Sequence, residues 1–273
     1  MRLGVTMFAT DRSISITRLA RAVEERGLCS LYLPEHTHMP VATPHTPGQP
    51  DVPESYKRTL DPLVALAAAA AVTERITLGT GILLAAQREP LVTAKAIASL
   101  DHLAPGRVAV GVGFGWNAPE VEHHGVPYAE RRDVARRHML AMKALWSQEQ
   151  ASSESFGPTY SWPKPTVMPP IYLGGAAGPK LFAHVAEYGD GWIPIGAKGI
   201  KAALPAFRDT CGDKRIIPFG SLPTPEKLEY FATLGIEEVV ANVPSGTADE
   251  VLPVLDTLAA IISPYVETRP ASP

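Results

Sequence analysis

Short hydrophobic runs alternate along this chain with longer segments in which apolar residues recur every three or four positions. Runs of the first kind predict β-strands, and segments of the second kind predict amphipathic helices. The predicted strands are Leu3–Phe8, Ser30–Leu33, Ile76–Leu84, Arg107–Val112, Pro170–Leu173, Gly191–Ile195, Arg215–Phe219 and Glu238–Val243. Strands separated by helices in this way are typical of repeated βα units around a parallel sheet.

Capping residues mark where several of the helices begin. Asp61 and Thr224 are each followed by proline, which combines a capping side chain with a residue suited to the first helical turn. Thr247 and Glu250 have the spacing of a capping box. These signals support helices between the predicted strands.

Repeated βα units can close into a barrel or spread into a doubly wound sheet, and the glycine pattern separates the two. The run Gly111–Trp116 places tryptophan where the dinucleotide-binding GxGxxG motif requires its third glycine, and Asn117–Pro127 is interpreted as a loop. We therefore expect one (β/α)8 TIM barrel with irregular insertions over residues 1–263. A flexible C-terminal tail is expected over residues 264–273.

Two segments look long and irregular, namely Pro34–Thr59 and Gln148–Pro169. The first follows a strand, so in a barrel it would lie over the C-terminal face, where substrate pockets form. It is a candidate lid, and the alternative is a proline-rich excursion on the surface.

Composition narrows the class of partner. The net charge of −3 leaves no basic field for nucleic acid or an anionic membrane, so a small organic molecule is the expected partner. No apolar run has the length of a membrane span, and the N-terminus lacks the features of a signal peptide. With two cysteines far apart in sequence, the protein is expected to be cytoplasmic.

The end of the second predicted strand carries the densest group of reactive side chains, in the run Pro34–His38. A neutral imidazole at His36 can donate a hydrogen bond or exchange a proton near pH 7, although a histidine bonded only within the loop is an alternative. His36 and His38 also suggest a metal, but no further pair at ligand spacing completes such a site, and none is predicted. His123 and His124 are expected to be solvated.

Glycines cluster at three predicted strand ends. Gly79 and Gly81 interrupt the third strand, where they mark either a ligand lying against the backbone or close packing inside the barrel. Gly111, Gly113 and Gly115 follow in the fourth strand. The run Gly174–Gly178 opens a helix, so its free N–H groups can hold a phosphate.

Together these runs resemble the luciferase-like monooxygenase family, and especially its branch that uses the deazaflavin coenzyme F420. The similarity covers nearly the whole chain. The stretches that carry it are Leu31–His38, Leu78–Ile82, Ala94–Lys95, Ala98–Leu103, Gly106–Arg107, Gly111–Asn117, Tyr172–Gly175 and Asp190–Trp192.

The resemblance implies a cofactor ring against the end of the third strand, beside a cis peptide bond between Gly81 and Ile82. It implies catalytic roles for His36 and Glu35, although many relatives have aspartate where this chain has Glu35. The implied cofactor-binding residues are Phe8, His36, Thr80, Gly81, Ile82, Gly113, Trp116, Gly174, Gly175 and Ala176. The implied substrate-binding residues are His38, Trp116 and Ile195. Met7, Phe8, Trp116 and Ile195 fit a core position equally well.

The function that the resemblance implies is hydride transfer between reduced coenzyme F420 and an unidentified organic substrate. An FMN-dependent monooxygenase on the same barrel is the alternative. A metal-dependent hydrolase built on His36 and His38 and a non-catalytic cofactor-binding protein are less favoured. The substrate contacts are expected from Pro34–Thr59 and the other βα loops, and a homodimer is expected because dimers are common in the family.

Overall fold

The computed structural model describes residues 1–43 and 51–266. The strands are β1 (Arg2–Thr6), β2 (Ser30–Leu33), β3 (Thr77–Leu84), β4 (Val108–Gly113), β5 (Ala151–Ser153), β6 (Phe156–Thr159), β7 (Ile171–Gly174), β8 (Gly191–Ile193), β9 (Arg215–Ile216) and β10 (Glu238–Asn242). Eight of them form one parallel sheet in the order β10-β1-β2-β3-β4-β7-β8-β9, and β5 and β6 form a separate antiparallel hairpin.

The two edges of the large sheet meet beyond the end of β9. Phe219 forms a parallel bridge with Val240 of β10. The Gly220 N–H donates to the carbonyl of Val240 at 2.9 Å, and the Val240 N–H donates to the carbonyl of Pro218 at the same distance. The sheet is therefore a nearly closed barrel, which confirms the predicted (β/α)8 fold.

Helices separate the barrel strands. They are α1 (Ile16–Glu25), α2 (Glu54–Lys57), α3 (Pro62–Ala70), α4 (Pro90–Leu103), α5 (Ala118–His123), α6 (Arg131–Ser147), α7 (Pro179–Tyr188), α8 (Ile200–Cys211), α9 (Pro225–Thr233) and α10 (Ala248–Val266). Asp61 accepts from two backbone N–H groups of α3, and Thr224 accepts from Lys227 N–H in α9, which confirms both predicted starts. None of the helices in the described part of the chain has the length and apolarity of a membrane span.

The structure departs from the sequence-based expectations in several places. Helix α5 lies within Asn117–Pro127, so the prediction of a loop there is wrong; Pro119 sits in the first turn, where a helix tolerates it. The hairpin of β5 and β6 lies within the segment expected to be irregular. Helix α10 continues to Val266, so the first three residues of the expected tail are helical. The rest of that tail and residues 44–50 of the expected lid lie outside the described residues.

Two apolar layers fill the molecule. One lies between the sheet and the helices. The other fills the inside of the barrel, and its members are Tyr32, Ala109, Tyr172, Ile193, Ile217, Phe219 and Val240, with Ile82 packed against them. The barrel interior is thus filled with side chains, and a cavity lies above it, at the C-terminal ends of the strands.

At the opposite, N-terminal end of the barrel, an ionic cluster surrounds Glu238, which is 4% exposed. One carboxylate oxygen accepts from Ser30 Oγ at 2.8 Å, and the other lies 2.8 Å from Arg2 and 3.3 Å from Arg215. Arg215 also donates to the hydroxyl of Tyr172 at 3.2 Å. Both oxygens of Glu238 are therefore paired within the protein.

Candidate active site

A cavity of about 700 Å³ opens at the C-terminal ends of the barrel strands. Residues that follow most of the barrel strands line it, as expected for the face on which barrel enzymes place their active sites. They include Met7, Phe8, Glu35, His36, Gly81, Ile82, Phe114, Trp116, Gly174, Gly175, Ile195 and Asn242.

His36, directly beyond β2, is held from behind by Glu120 of α5. Its Nδ1 lies 3.1 Å and 2.9 Å from the two carboxylate oxygens, and His36 and Glu120 are 7% and 1% exposed. Because a carboxylate can only accept, Nδ1 carries a hydrogen and donates it. The other ring nitrogen, Nε2, has no hydrogen-bond partner among the described residues, and His36 lines the cavity. The imidazole is therefore oriented to hydrogen-bond a ligand or exchange a proton with it.

Three aromatic side chains, Phe8, Tyr56 and Trp116, surround the imidazole of His36; we call them the aromatic cluster. Tyr56 stacks on the imidazole with ring centres 4.8 Å apart, and Trp116 meets it edge-on at 6.0 Å. Phe8 lies 4.4 Å from the Tyr56 ring and 6.1 Å from the imidazole. Tyr56 comes from α2, and burial raises the pKa of its hydroxyl.

Glu35 lies beside His36 in sequence but bonds a different part of the cavity wall, at the end of β3. One carboxylate oxygen accepts from the Leu84 N–H at 2.7 Å, and the other accepts from Arg88 Nε at 2.6 Å. Arg88 also bonds Asp61 at 2.5 Å. Burial raises the pKa of Glu35, although Arg88 and the Leu84 N–H act to lower it. Both oxygens are thus bonded to donors at or beyond the end of β3, a strand whose pairing with β4 shifts register at a bend between Thr80 and Leu83.

That bend contains a cis peptide bond between Gly81 and Ile82, as expected. The Ile82 side chain occupies the space above two neighbouring strands: a Cβ at Gly113 would overlap its Cδ1, and a Cβ at Gly174 would lie 3.2 Å from its Cγ2. Within β3, a Cβ at Gly81 would lie 2.6 Å from the ring of Phe219. Close packing therefore accounts for these glycines, and together they let Ile82 form part of the cavity floor.

Residues 7–211 match the family model of the luciferase-like monooxygenases. The chain belongs to this family. An uncharacterised protein of Mycobacterium tuberculosis is 42% identical over 95% of this chain and 98% of its own length. An F420-dependent glucose-6-phosphate dehydrogenase of Beutenbergia cavernae is 33% identical over 77% of this chain and 62% of its own length.

Solved structures of similar shape support the fold. A monooxygenase, RslO1, of Streptomyces bottropensis superposes with a TM-score of 0.79 at 19% identity, over 97% of this chain and 100% of the other. An F420-dependent secondary alcohol dehydrogenase, solved with an F420–acetone adduct, superposes with a TM-score of 0.75 at 18% identity, over 96% and 99% of the two chains.

Some of the residues expected from the family resemblance do not line the cavity of this luciferase-like barrel. Thr80 is buried and donates to the carbonyl of Gly111 at 2.8 Å, because its side chain points into the sheet. Gly113 lies beneath Ile82, and Ala176 is exposed beyond β7. His38 is not among the described residues that line the cavity, and its ring nitrogens lie 3.0 Å from Thr37 Oγ1 and 3.0 Å from His123 Nδ1.

The other expected residues do meet at the cavity. They are Phe8, Glu35, His36, Gly81, Ile82, Trp116, Gly174, Gly175 and Ile195. Ile195 is 75% exposed and therefore belongs to the cavity mouth. In the described part of the chain, no group of three or more His, Cys, Asp or Glu side chains is arranged to hold a metal, so the hydrolase alternative gains no support.

Two arginines at the start of α6 line the cavity and were not anticipated from the sequence. Arg131 donates to the carbonyls of Gly115 at 3.0 Å and Tyr128 at 2.7 Å. The guanidinium of Arg132 lies 4.5 Å from the centre of the Phe114 ring, and its Nη1 is buried without a partner among the described residues. A buried donor without a partner is costly, so this position favours an anionic ligand.

Proposed function

We propose that this protein is an oxidoreductase that transfers a hydride between reduced coenzyme F420 and an organic substrate. The observation that carries the proposal is His36, fixed through Nδ1 by Glu120 and placed in a cavity whose floor includes Ile82 and the cis bond before it. A buried, oriented imidazole beside a large cavity is what proton exchange with a bound substrate requires.

The residues around the cavity fit a cofactor with a planar ring and an anionic chain. Ile82, at the cavity floor, offers apolar surface to the ring. Arg132, with its unpaired Nη1, offers charge to a phosphate, and Gly174 and Gly175 allow the chain to approach the backbone closely. When bound, the deazaflavin supplies or accepts the hydride, which is chemistry that no amino-acid side chain provides.

His36 handles the proton that accompanies the hydride. For the reduction of a carbonyl group, His36 would begin as the imidazolium, with Nδ1–H bonded to Glu120, and its Nε2–H would protonate the carbonyl oxygen as the carbon receives the hydride. In alcohol oxidation the same atoms move in reverse, and Nε2 receives the hydroxyl proton. Glu120 stabilises the charged imidazolium, because its carboxylate lies 2.9 Å from Nδ1.

The choice of F420 over FMN rests on similarity to relatives. The Beutenbergia relative, at 33% identity, is named for its dependence on F420. The monooxygenase of similar shape shares only 19% of its sequence with this chain, so its likeness speaks for the fold alone. FMN-dependent oxygenation is accordingly the competing outcome of the experiment below.

The test is to titrate the purified protein separately with F420 and FMN and to follow the fluorescence of each cofactor. We expect binding of F420, weakened about tenfold in Arg132→Gln, because a charge-assisted hydrogen bond is lost. The matched control is Arg137→Gln, since Arg137 lies on the same helix and is 43% exposed. Tight binding of FMN with none of F420 would contradict the proposal.

A further inference from the structure

The charged side chains that line the described part of the cavity, apart from His36, are Glu35, Arg131 and Arg132. Both oxygens of Glu35 are already bonded to Leu84 and Arg88. Arg131 is bonded to two carbonyls and lies 3.7 Å above the ring of Tyr128. Arg132 is therefore the one charged group of the three that has an unpaired buried nitrogen, and the phosphate of the cofactor is its natural partner.

The surroundings of His36 have the opposite character. The imidazole is enclosed by the aromatic cluster, and Glu120, its one charged partner among the described residues, is bonded to Nδ1. The Tyr56 hydroxyl has no hydrogen-bond partner among the described residues and is the polar group that the cluster adds. A substrate group next to His36 thus meets aromatic rings, one neutral hydroxyl and the imidazole.

This distribution of charge selects between substrate classes. An anionic group placed beside the aromatic cluster would lose its hydration without gaining a cation. An apolar or aromatic group would instead gain by leaving water and by stacking on the rings. One oxygen on that group is enough to engage Nε2 of His36.

We propose, building on the function proposed above, that the substrate is an uncharged ketone or the corresponding secondary alcohol, carrying an apolar or aromatic substituent. The aromatic cluster holds that substituent, and Tyr56 is the specificity-determining residue. This separates the chain from its relative named for glucose 6-phosphate, a substrate whose phosphate requires a cation. The substrate side of this cavity provides none within the described residues.

Tyr56 is singled out by its position. Phe8 extends from the end of β1, and Trp116 precedes α5, so both are fixed by the barrel frame. Tyr56 instead comes from the short helix α2, in the long connection between β2 and α3, and packs against both His36 and Phe8. Its ring therefore sets how much space remains beside the imidazole.

The experiment uses acetophenone and cyclohexanone as neutral probes and glucose 6-phosphate as the anionic probe. Turnover is followed by the absorbance of F420, starting from reduced cofactor for the ketones and oxidised cofactor for the sugar phosphate. We expect kcat/KM for the ketones to exceed that for glucose 6-phosphate by about a hundredfold or more, because an unpaired charge is excluded from the site. Turnover of glucose 6-phosphate with none of the ketones would overturn the inference.

Variants of Tyr56 test its role. Tyr56→Ala should raise KM for acetophenone about tenfold through the lost ring contacts, and Tyr56→Phe should stay within about twofold. The Kd for F420 should be unchanged in both. Tyr230→Ala is the control, because Tyr230 lies on α9 and is 41% exposed. An unchanged KM in Tyr56→Ala would overturn the assignment of Tyr56.

A direct binding measurement keeps this inference distinct from the proposed function. Acetophenone binding is followed by tryptophan fluorescence with and without F420, using Tyr56→Ala as the comparison. If F420 fails to bind, the proposed function is wrong, and the aromatic subsite is still judged by whether acetophenone binds and whether Tyr56→Ala weakens it. Absence of acetophenone binding in both conditions would overturn the inference.

Discussion

At each end of the barrel a buried carboxylate lies against the strand ends, and the two differ in the partner they hold. At the N-terminal end Glu238 is bonded to Ser30, Arg2 and Arg215. At the C-terminal end Glu120 is bonded to His36. A guanidinium keeps its charge at every physiological pH, whereas an imidazole gains and loses a proton near neutrality.

The difference shows that a buried carboxylate can either stabilise the fold or orient a group that exchanges protons. The oxygens of Glu238 accept from groups that do not titrate near neutrality, so the cluster fixes the N-terminal end of the barrel. Glu120 faces a donor whose far nitrogen borders a cavity, so its negative charge influences a proton that can leave the protein. The first arrangement contributes to stability, and the second makes a chemical step possible.

Removal of the imidazole should give the largest effect. His36→Ala is expected to lower kcat by about 10²- to 10⁴-fold, because general acid–base catalysis contributes that much, and also to lower the melting temperature, because the buried carboxylate of Glu120 loses its donor. Turnover with reduced F420 and a thermal melt are the measurements. His102→Ala is the control, since His102 is exposed on α4 and its ring bonds the Lys164 carbonyl alone among the described residues. Equal activity in the two variants would remove His36 from the mechanism.

The same substitution at both ends tests the comparison directly. Glu238→Gln should lower the free energy of unfolding by about 2 kcal/mol, because Arg2 and Arg215 lose their counter-charge but stay partly hydrated. Glu120→Gln should lower kcat by about 10- to 100-fold, because the amide still accepts from Nδ1 but no longer stabilises the imidazolium. Urea unfolding and turnover at saturating substrate give the readouts. A loss of kcat in Glu238→Gln as large as that in Glu120→Gln would contradict the division of roles.

Two glycines offer a second matched pair. A Cβ at Gly4 would overlap Ser30 Oγ at the N-terminal end, and a Cβ at Gly113 would overlap Ile82 at the cavity floor. Each alanine variant should cost about 1–3 kcal/mol of stability through overpacking. Only Gly113→Ala should also weaken cofactor binding, which a fluorescence titration would detect. Equal cofactor affinity in both would mean that Ile82 does not shape the floor.

The smallest expected effect is on the pH dependence of stability, through Glu24. Burial acts to raise the pKa of Glu24, but the N–H groups of Arg75, Glu74 and Ile76 outweigh it, and the pKa is lowered from 4.5. A lowered pKa in the folded state means that stabilisation is present above 4.5 and is lost as pH falls below it. Glu24→Gln should therefore cost about 1 kcal/mol at pH 7. The difference from wild type should shrink in urea titrations at lower pH, and a constant difference would refute this account.

The barrel could be predicted because its signals are local. Alternating apolar runs, proline-assisted helix starts and short strands lie within single stretches of sequence, and the order of those stretches dictates the topology. The position of His36 followed from the same reasoning, since it comes directly after a strand. Helix α5 was predicted as a loop because a six-residue helix leaves almost no periodic pattern.

The partners within the site could not be predicted in this way. His36 and Glu120 are 84 positions apart, and no local pattern couples them. Tyr56 contacts the imidazole from a proline-rich connection. Arg132 is a candidate ligand-binding residue because its Nη1 is buried without a partner among the described residues, which the sequence does not reveal. Gly113, expected from the family resemblance to bind the cofactor, has a packing role that the sequence did not reveal, because it makes room for the side chain of Ile82.

Helix α5 and the residue before it contact both His36 and the connection between β2 and α3, which matters for the redesign of this barrel. Glu120, in the first turn of α5, orients His36. Asn117, just before the helix, donates to Thr43 Oγ1 at 3.1 Å, and Thr43 lies in the connection between β2 and α3. A longer or exchanged connection would change the contact with Asn117 and could displace α5, the helix that orients the imidazole of His36. Loop grafting here should therefore treat residues 39–43 and α5 as one unit, transplanted together or left alone.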